Sequence, residues 1–99
     1  MIVALTVRRL KPDTFDAFRK AWEPADWDPK WEKAYHVRNV NDDNEVISFG
    51  FFNGTLEELQ ATRPSGSGEE ERQRRIQEFV DSTGADGLYE VVEEVAPPR

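Results

Sequence analysis

The order in which hydropathy patterns follow one another constrains this chain more than any single residue. Ile2 to Arg9 is rich in β-branched residues and alternates. Val3, Leu5 and Val7 fall on one side, and Ile2, Ala4, Thr6 and Arg8 on the other. Pro12 and Asp13 break this first strand and open a helix, because proline suits a first helical turn and aspartate can cap it. Phe15, Phe18 and Trp22 recur at i, i+3 and i+7, one helix face, and Pro24 ends the run. Glu23 to Glu32 reads as an aromatic loop or short helical turn, holding Trp27 and Trp31 among Pro24, Asp26, Asp28 and Pro29.

Lys33 to Val40 and Glu45 to Phe52 alternate again on either side of the turn cluster Asn41 to Asn44, which predicts a β-hairpin. Asn53-Gly54 closes it. Thr55-x-x-Glu58 is a capping box for a short helix carrying Leu56 and Leu59. Arg63 to Gly68 reads as a flexible joint that kinks the helical crossover. A last helix is expected from about Glu69 to Ser82, with Ile76, Phe79 and Val80 inward and Gly84 at its C′ position. Leu88 to Val95 is then the fourth strand.

The resulting order, βαββαβ, is the ferredoxin-like, split βαβ arrangement of the α+β class: a four-stranded antiparallel sheet with helices on one face. The 99 residues predict one domain over 1–96 and a short tail over 97–99. The strongly apolar set Val3, Leu5, Val7, Ile47, Phe49, Phe51, Tyr89 and Val91 is expected to meet the helices through Phe15, Phe18, Ile76 and Phe79. The opposite set mixes Ile2, Ala4, Thr6, Arg8, Ala34, His36, Arg38 and Val46 with Ser48, Gly50, Phe52, Leu88, Glu90 and Val92. Such a face is expected either to pack on a second sheet across a cavity or to stay open to water.

Composition removes several function classes. Lys and Arg total 13 against 20 Asp and Glu, a net charge of −7, which argues against nucleic acid, whose binding rests on cations displacing counterions from phosphates. The densest basic run, Arg72 to Arg75, follows Glu69 to Glu71. Its Glu70–Arg74 and Glu71–Arg75 spacings read as a solvated helix face. No apolar run approaches the ~20 residues of a membrane span. Met1 to Val7 reads as a strand in place of a signal peptide, so a cytoplasmic protein is expected. Without cysteine there are no disulfides, thiolate metal sites or iron–sulfur clusters. Asp42 to Glu45 lack the spacing of a calcium loop, and Ser65 to Gly68 lack the Lys-Ser/Thr of a phosphate cradle, so neither metal nor cofactor is expected.

His36, the single histidine, is the natural proton-transfer group on the mixed face, and Glu90 could orient it or act as a base. Thr6 and Ser48 could donate hydrogen bonds, and Arg8 and Arg38 could hold an anion. Equally, His36 and Arg38 could line a dimer interface or pair with Glu90. Trp22, Trp27 and Trp31 could wall an aromatic pocket, or supply buried area to a small core or an interface.

The element order, the length near one hundred residues and the opening strand Ile2-Val3-Ala4-Leu5-Thr6-Val7-Arg8 resemble the dimeric α/β-barrel superfamily, and within it the antibiotic biosynthesis monooxygenase-like families. The resemblance spans Met1 to Ala96. It implies a homodimer joined through the sheet faces, enclosing a cavity for a hydrophobic or aromatic metabolite and oxidising it without a cofactor. A non-catalytic dimeric ligand-binding or stress-response module is the alternative that it allows. The haem-degrading branch is disfavoured, since Thr6 and Arg8 stand where it has a first-strand Asn, and Thr55 to Thr83 contains no His.

Overall fold

The computed structural model describes residues 1–62 and 67–98. Strand β1 (Ile2–Leu10) leads to helix α1 (Phe15–Trp22), then to the hairpin of β2 (Trp31–Asn39) and β3 (Asp42–Phe52). Helices α2 (Leu56–Thr62) and α3 (Ser67–Gln77) cross to β4 (Val80–Glu90). The four strands form one antiparallel sheet in the order β2-β3-β1-β4, the ferredoxin-like βαββαβ topology. The joint expected at Arg63 to Gly68 falls largely outside the described residues, on either side of which the crossover is helical. No helix among the described residues is long and apolar enough to cross a membrane.

Local chemistry explains most boundaries. Asp13 takes a positive φ of 61° after Pro12, and Thr14, not Asp13, precedes the first helical residue. The Thr14 hydroxyl turns back to donate to the Lys11 carbonyl at 2.6 Å. Ahead of β2, the Trp31 amide donates to the Asp28 carbonyl at 3.0 Å, and the Lys30 amide to Asp28 Oδ1 at 2.8 Å, a turn that Pro29 pre-sets. The hairpin turns over Val40 and Asn41, tighter than the four-residue cluster expected, because Asn39 pairs with Asp42. The capping box forms as the spacing predicts. Thr55 N donates to Glu58 Oε1 at 3.0 Å, and Glu58 N to Thr55 Oγ1 at 3.1 Å.

Two expectations are corrected. The last helix ends at Gln77, and the fourth strand runs from Val80 to Glu90, not from Leu88 to Val95. Gly84 therefore lies inside a strand. Asp81 to Asp86 has turn chemistry, but it is held as an edge strand by backbone bonds to β1 alone, with its side chains exposed. Between Thr83 and Asp86, and again between Val80 and Ser82, β4 carries one residue more than β1 opposite, so two bulges absorb the irregular sequence.

The second correction concerns the faces of the sheet. The helices cover the mixed face, not the apolar one. Ile2, Arg8, Leu10, Val46, Ser48 and Phe52 are buried beneath them, while Tyr35, Val37 and Tyr89 on the other face are 45%, 40% and 47% exposed. The reason is volume. The helices and the β2 entry bring Phe15, Phe18, Trp22, Trp31 and Ile76, so the sheet beneath has room only for small residues such as Ala4, Ala34, Ser48 and Gly50. At Gly50 a Cβ would sit 3.2 Å from the Trp31 indole.

Under the helices the core divides. One cluster joins Leu10, Phe18, Ala21, Val46, Ile76 and Val80, and the other Ile2, Phe52 and Leu59. Each fully buried Phe, Leu or Ile contributes about 1.5–3 kcal/mol of hydrophobic stabilisation. Polar residues run between the two clusters.

Candidate functional site

That polar seam is a single cross-strand row. Register places Asp86 of β4, Thr6 of β1, Ser48 of β3 and His36 of β2 side by side on the helix-covered face. Thr6 Oγ1 donates to Asp86 Oδ1 at 2.9 Å. At the other end, His36 Nδ1 lies 2.7 Å from Ser48 Oγ, and Arg8 Nη1 donates to the same oxygen at 3.4 Å. Ser48 Oγ has two lone pairs, so it accepts from Arg8 while sharing a single hydrogen with Nδ1, whose direction follows the imidazole tautomer.

Two buried side-chain nitrogens among the described residues have no hydrogen-bond partner, Arg8 Nε and His36 Nε2, and both belong to this cluster. Each such group costs about 1–3 kcal/mol of desolvation. Burial, and then the charges of Arg19 and Arg8, push His36 down to about 4, so the ring is neutral at physiological pH. Arg8 is only 6% exposed. Burial lowers its proton affinity, Asp86 raises it, and Arg72 lowers it again.

The His36 ring faces an aromatic wall. Trp22 meets it edge-to-face at 4.4 Å between centroids, with Phe18 at 5.6 Å and Phe15 at 6.2 Å. The tryptophans continue outward in sequence: Trp22 to Trp27 at 5.7 Å, Trp27 to Trp31 at 6.3 Å, and Trp31 to Phe52 at 5.2 Å. Glu23 fastens this wall, accepting from Arg19 Nη1 at 2.6 Å and from Trp27 Nε1 at 3.2 Å. Arg19 and Arg72 both lie over the Trp22 indole, at 5.3 and 5.4 Å, and Arg72 Nε donates to the Trp22 carbonyl at 2.7 Å. Trp22, Trp27, Trp31, Arg19, Glu32, Lys33, Ala34 and His36 line an open cleft of about 340 Å³.

The nine residues singled out in the sequence therefore do not all come together. His36, Trp22, Trp27 and Trp31 line the cleft, and Ser48 and Arg8 stand directly behind His36. Thr6 shares their row but bonds Asp86. Arg38 lies against Phe15 at 5.1 Å and borders a separate hollow of about 140 Å³ with Lys11, Asp13 and Asn44. Glu90 pairs with Ile2, at the far end of the row that contains Phe52 and Trp31. It is three strands from β2, roughly 14 Å at ~4.8 Å per strand, and so cannot orient or pair with His36.

Three residues of the site escaped sequence reasoning. Asp86 was hidden by the misplaced fourth strand. Arg19 carries no signal in the sequence, and Arg72 belongs to the run Arg72 to Arg75 that reads as a solvated helix face. Arg72 lies four residues before the buried Ile76, hence on the inward helix face, and that spacing could have found it. It pairs with Glu69 at 3.0 Å, whereas the expected Glu70–Arg74 and Glu71–Arg75 bridges do not form among the described residues.

No family model matches the chain, and no curated protein matches it. Solved structures do. An antibiotic biosynthesis monooxygenase-like protein from Chloroflexus aurantiacus is similar over 96% of both chains, with a TM-score of 0.69 at 12% identity. One from Nitrosomonas europaea is similar over 94% of this chain and 100% of its own, with a TM-score of 0.68 at 13% identity. A conserved protein from Methanosarcina mazei is similar over 89% of both, with a TM-score of 0.63 at 11% identity. The chain thus shares the whole ferredoxin-like fold of antibiotic biosynthesis monooxygenase-like structures, from β1 to β4.

Proposed function

We propose that the chain is a small-molecule-binding protein of the monooxygenase-like kind, which takes a planar aromatic metabolite into the cleft between α1 and β2. The observation that carries this reading is the continuous wall of Trp22, Trp27 and Trp31 ending on His36. Indole faces stack on planar rings, and a pocket with a few placed polar groups fixes their orientation. The ligand-binding roles rest on Trp22, Trp27, Trp31, Arg8 and Ser48, with His36 as the group that meets the ligand oxygen.

The reaction class that suits the fold and the site is oxidation of an electron-rich phenol by molecular oxygen without a cofactor. One O₂ is consumed, one oxygen atom becomes a second carbonyl on the ring, and the other leaves as water. With the phenol proton passed to water, the Arg19 guanidinium that lines the cleft would stabilise the phenolate from which an electron passes to oxygen. A second reading, a non-catalytic ligand-binding module, is favoured by one observation: an imidazole held near a pKa of 4 is a weak base at neutral pH. In both readings two copies pair through the open apolar sheet face.

Titration of 1-naphthol and 1-naphthamide, followed by tryptophan fluorescence and calorimetry, tests the cleft. Quenching with sub-millimolar affinity, lost in Trp22→Ala, is expected. Absence of binding, or binding indifferent to that change, would overturn it. Oxygen uptake with bound 1-naphthol, one atom of ¹⁸O₂ appearing in the naphthoquinone and the other in water, separates the enzyme from the binding module.

A further inference from the structure

Arg8 is a buried cation that forms no ion pair among the described residues, in a protein with 20 acidic residues. Its one hydrogen bond there, to Ser48, is long at 3.4 Å, and its Nε has no partner. Asp86 acts on it only across space, having committed an oxygen to Thr6. Across Ser48, His36 Nε2 is the second buried nitrogen without a partner. Arg19 and Arg72 bracket the Trp22 indole that stands over His36. The inner end of the cleft is thus rich in donors and positive charge. Buried charges ordinarily find a counter-charge, and a guanidinium suits a carboxylate geometrically.

Resting on the cleft reading above, we propose that the ligand is an aromatic acid, whose ionised carboxylate sits at the inner end of the cleft and pairs with Arg8 and His36. The aromatic body lies along the tryptophan wall. Arg19 and Arg72 supply field, not contact. Reaching the two nitrogens requires the Trp22 indole, 4.4 Å from the imidazole, and the Phe18 ring, 5.4 Å from the Arg8 guanidinium, to turn aside, so the acid reports its own binding through Trp22 emission. Arg38, which the sequence suggested as a second anion holder, lies on the far side of Phe15 and takes no part.

The experiment compares 1-naphthoate with 1-naphthamide, near-isosteres that differ in charge, on wild type and Arg8→Met by calorimetry. In wild type the acid is expected to bind about tenfold tighter or more, as a charge-assisted pair implies. In Arg8→Met that preference should vanish, with acid and amide binding within about twofold of each other. Equal binding of acid and amide to wild type overturns the proposal and leaves the cleft reading standing. So does a preference that survives in Arg8→Met. If neither compound binds, both readings fall. The wild-type comparison decides by itself should Arg8→Met not fold.

Discussion

His36 Nδ1 and Ser48 Oγ, on adjacent strands, lie 2.7 Å apart beneath α1, and this contact determines which nitrogen of the ring is left free. Because Arg8 also donates to Ser48 Oγ, the serine is a relay that joins the imidazole to the guanidinium. Ser48→Ala breaks the relay at both ends, leaving a buried imidazole nitrogen and a buried guanidinium without a partner. A loss of about 1–3 kcal/mol in stability is expected, read from chemical denaturation. The ¹⁵N shifts of His36 should change from the single tautomer that Ser48 holds to a mixture. An unchanged tautomer would refute the relay.

The proton affinity of His36 makes a prediction about pH. Its folded pKa, about 4, lies below the ordinary 6.5, mainly through burial and then through Arg19 and Arg8. Between those values the unfolded chain binds a proton that the folded chain refuses, so stability falls as pH drops. The contribution is complete above pH 6.5 and lost progressively toward pH 4. Asp42 and Glu58, both held below their ordinary values by hydrogen bonds from Arg9 and Lys30, lose theirs at lower pH still. The interval from pH 6.5 to 5 therefore belongs to His36. The melting temperature of wild type should decline across it, and that of His36→Gln should stay nearly flat.

How far the sequence discloses this molecule can be judged from Phe49 and Ser48, neighbours in one strand. Alternation correctly separates them onto opposite faces, and element order gives the fold. Hydropathy alone assigns the helices to the Phe49 side, and there it fails. A face is chosen by fit as well as by apolarity, and bulky helix residues need Ser48, Gly50 and Ala4 beneath them. His36, Arg8, Ser48 and the tryptophans were visible as candidates because their residue types are chemically conspicuous. Asp86 and the remoteness of Glu90 depended on the register of β4. No local pattern encodes that register, since the strand is exposed, bulged and turn-like in composition.

Gly50 offers a direct test of the volume argument. An added Cβ would stand 3.2 Å from Cζ3 of Trp31 and 3.5 Å from the Ala34 Cβ, so the indole must give way. Gly50→Val, larger again, should cost about 1–3 kcal/mol by overpacking. It should also shift Trp31 emission and weaken 1-naphthol binding in the cleft that Trp31 walls. Full stability in Gly50→Val would show that the indole is free to move.

The exposed sheet face yields the last prediction. Val3, Leu5, Val7, Ile47, Phe49 and Phe51 share it with Tyr35, Val37 and Tyr89. Tyr35 and Phe49 stack at 5.3 Å, and Phe49 meets Phe51 at 5.9 Å. An apolar patch that spans a whole sheet exceeds what a monomer ordinarily leaves in water, and a second copy presents the same patch. Light scattering at micromolar concentration should give twice the 11.4 kDa of the chain. Phe49→Glu places a carboxylate mid-face, opposite Leu5 and Tyr35, and should give a monomer whose far-UV circular dichroism is unchanged. Because His36 and the tryptophans lie on the other face, that monomer should still bind 1-naphthol. Wild type found monomeric would remove the dimer, while a Phe49→Glu monomer that lost binding would place the sheet interface in control of the cleft.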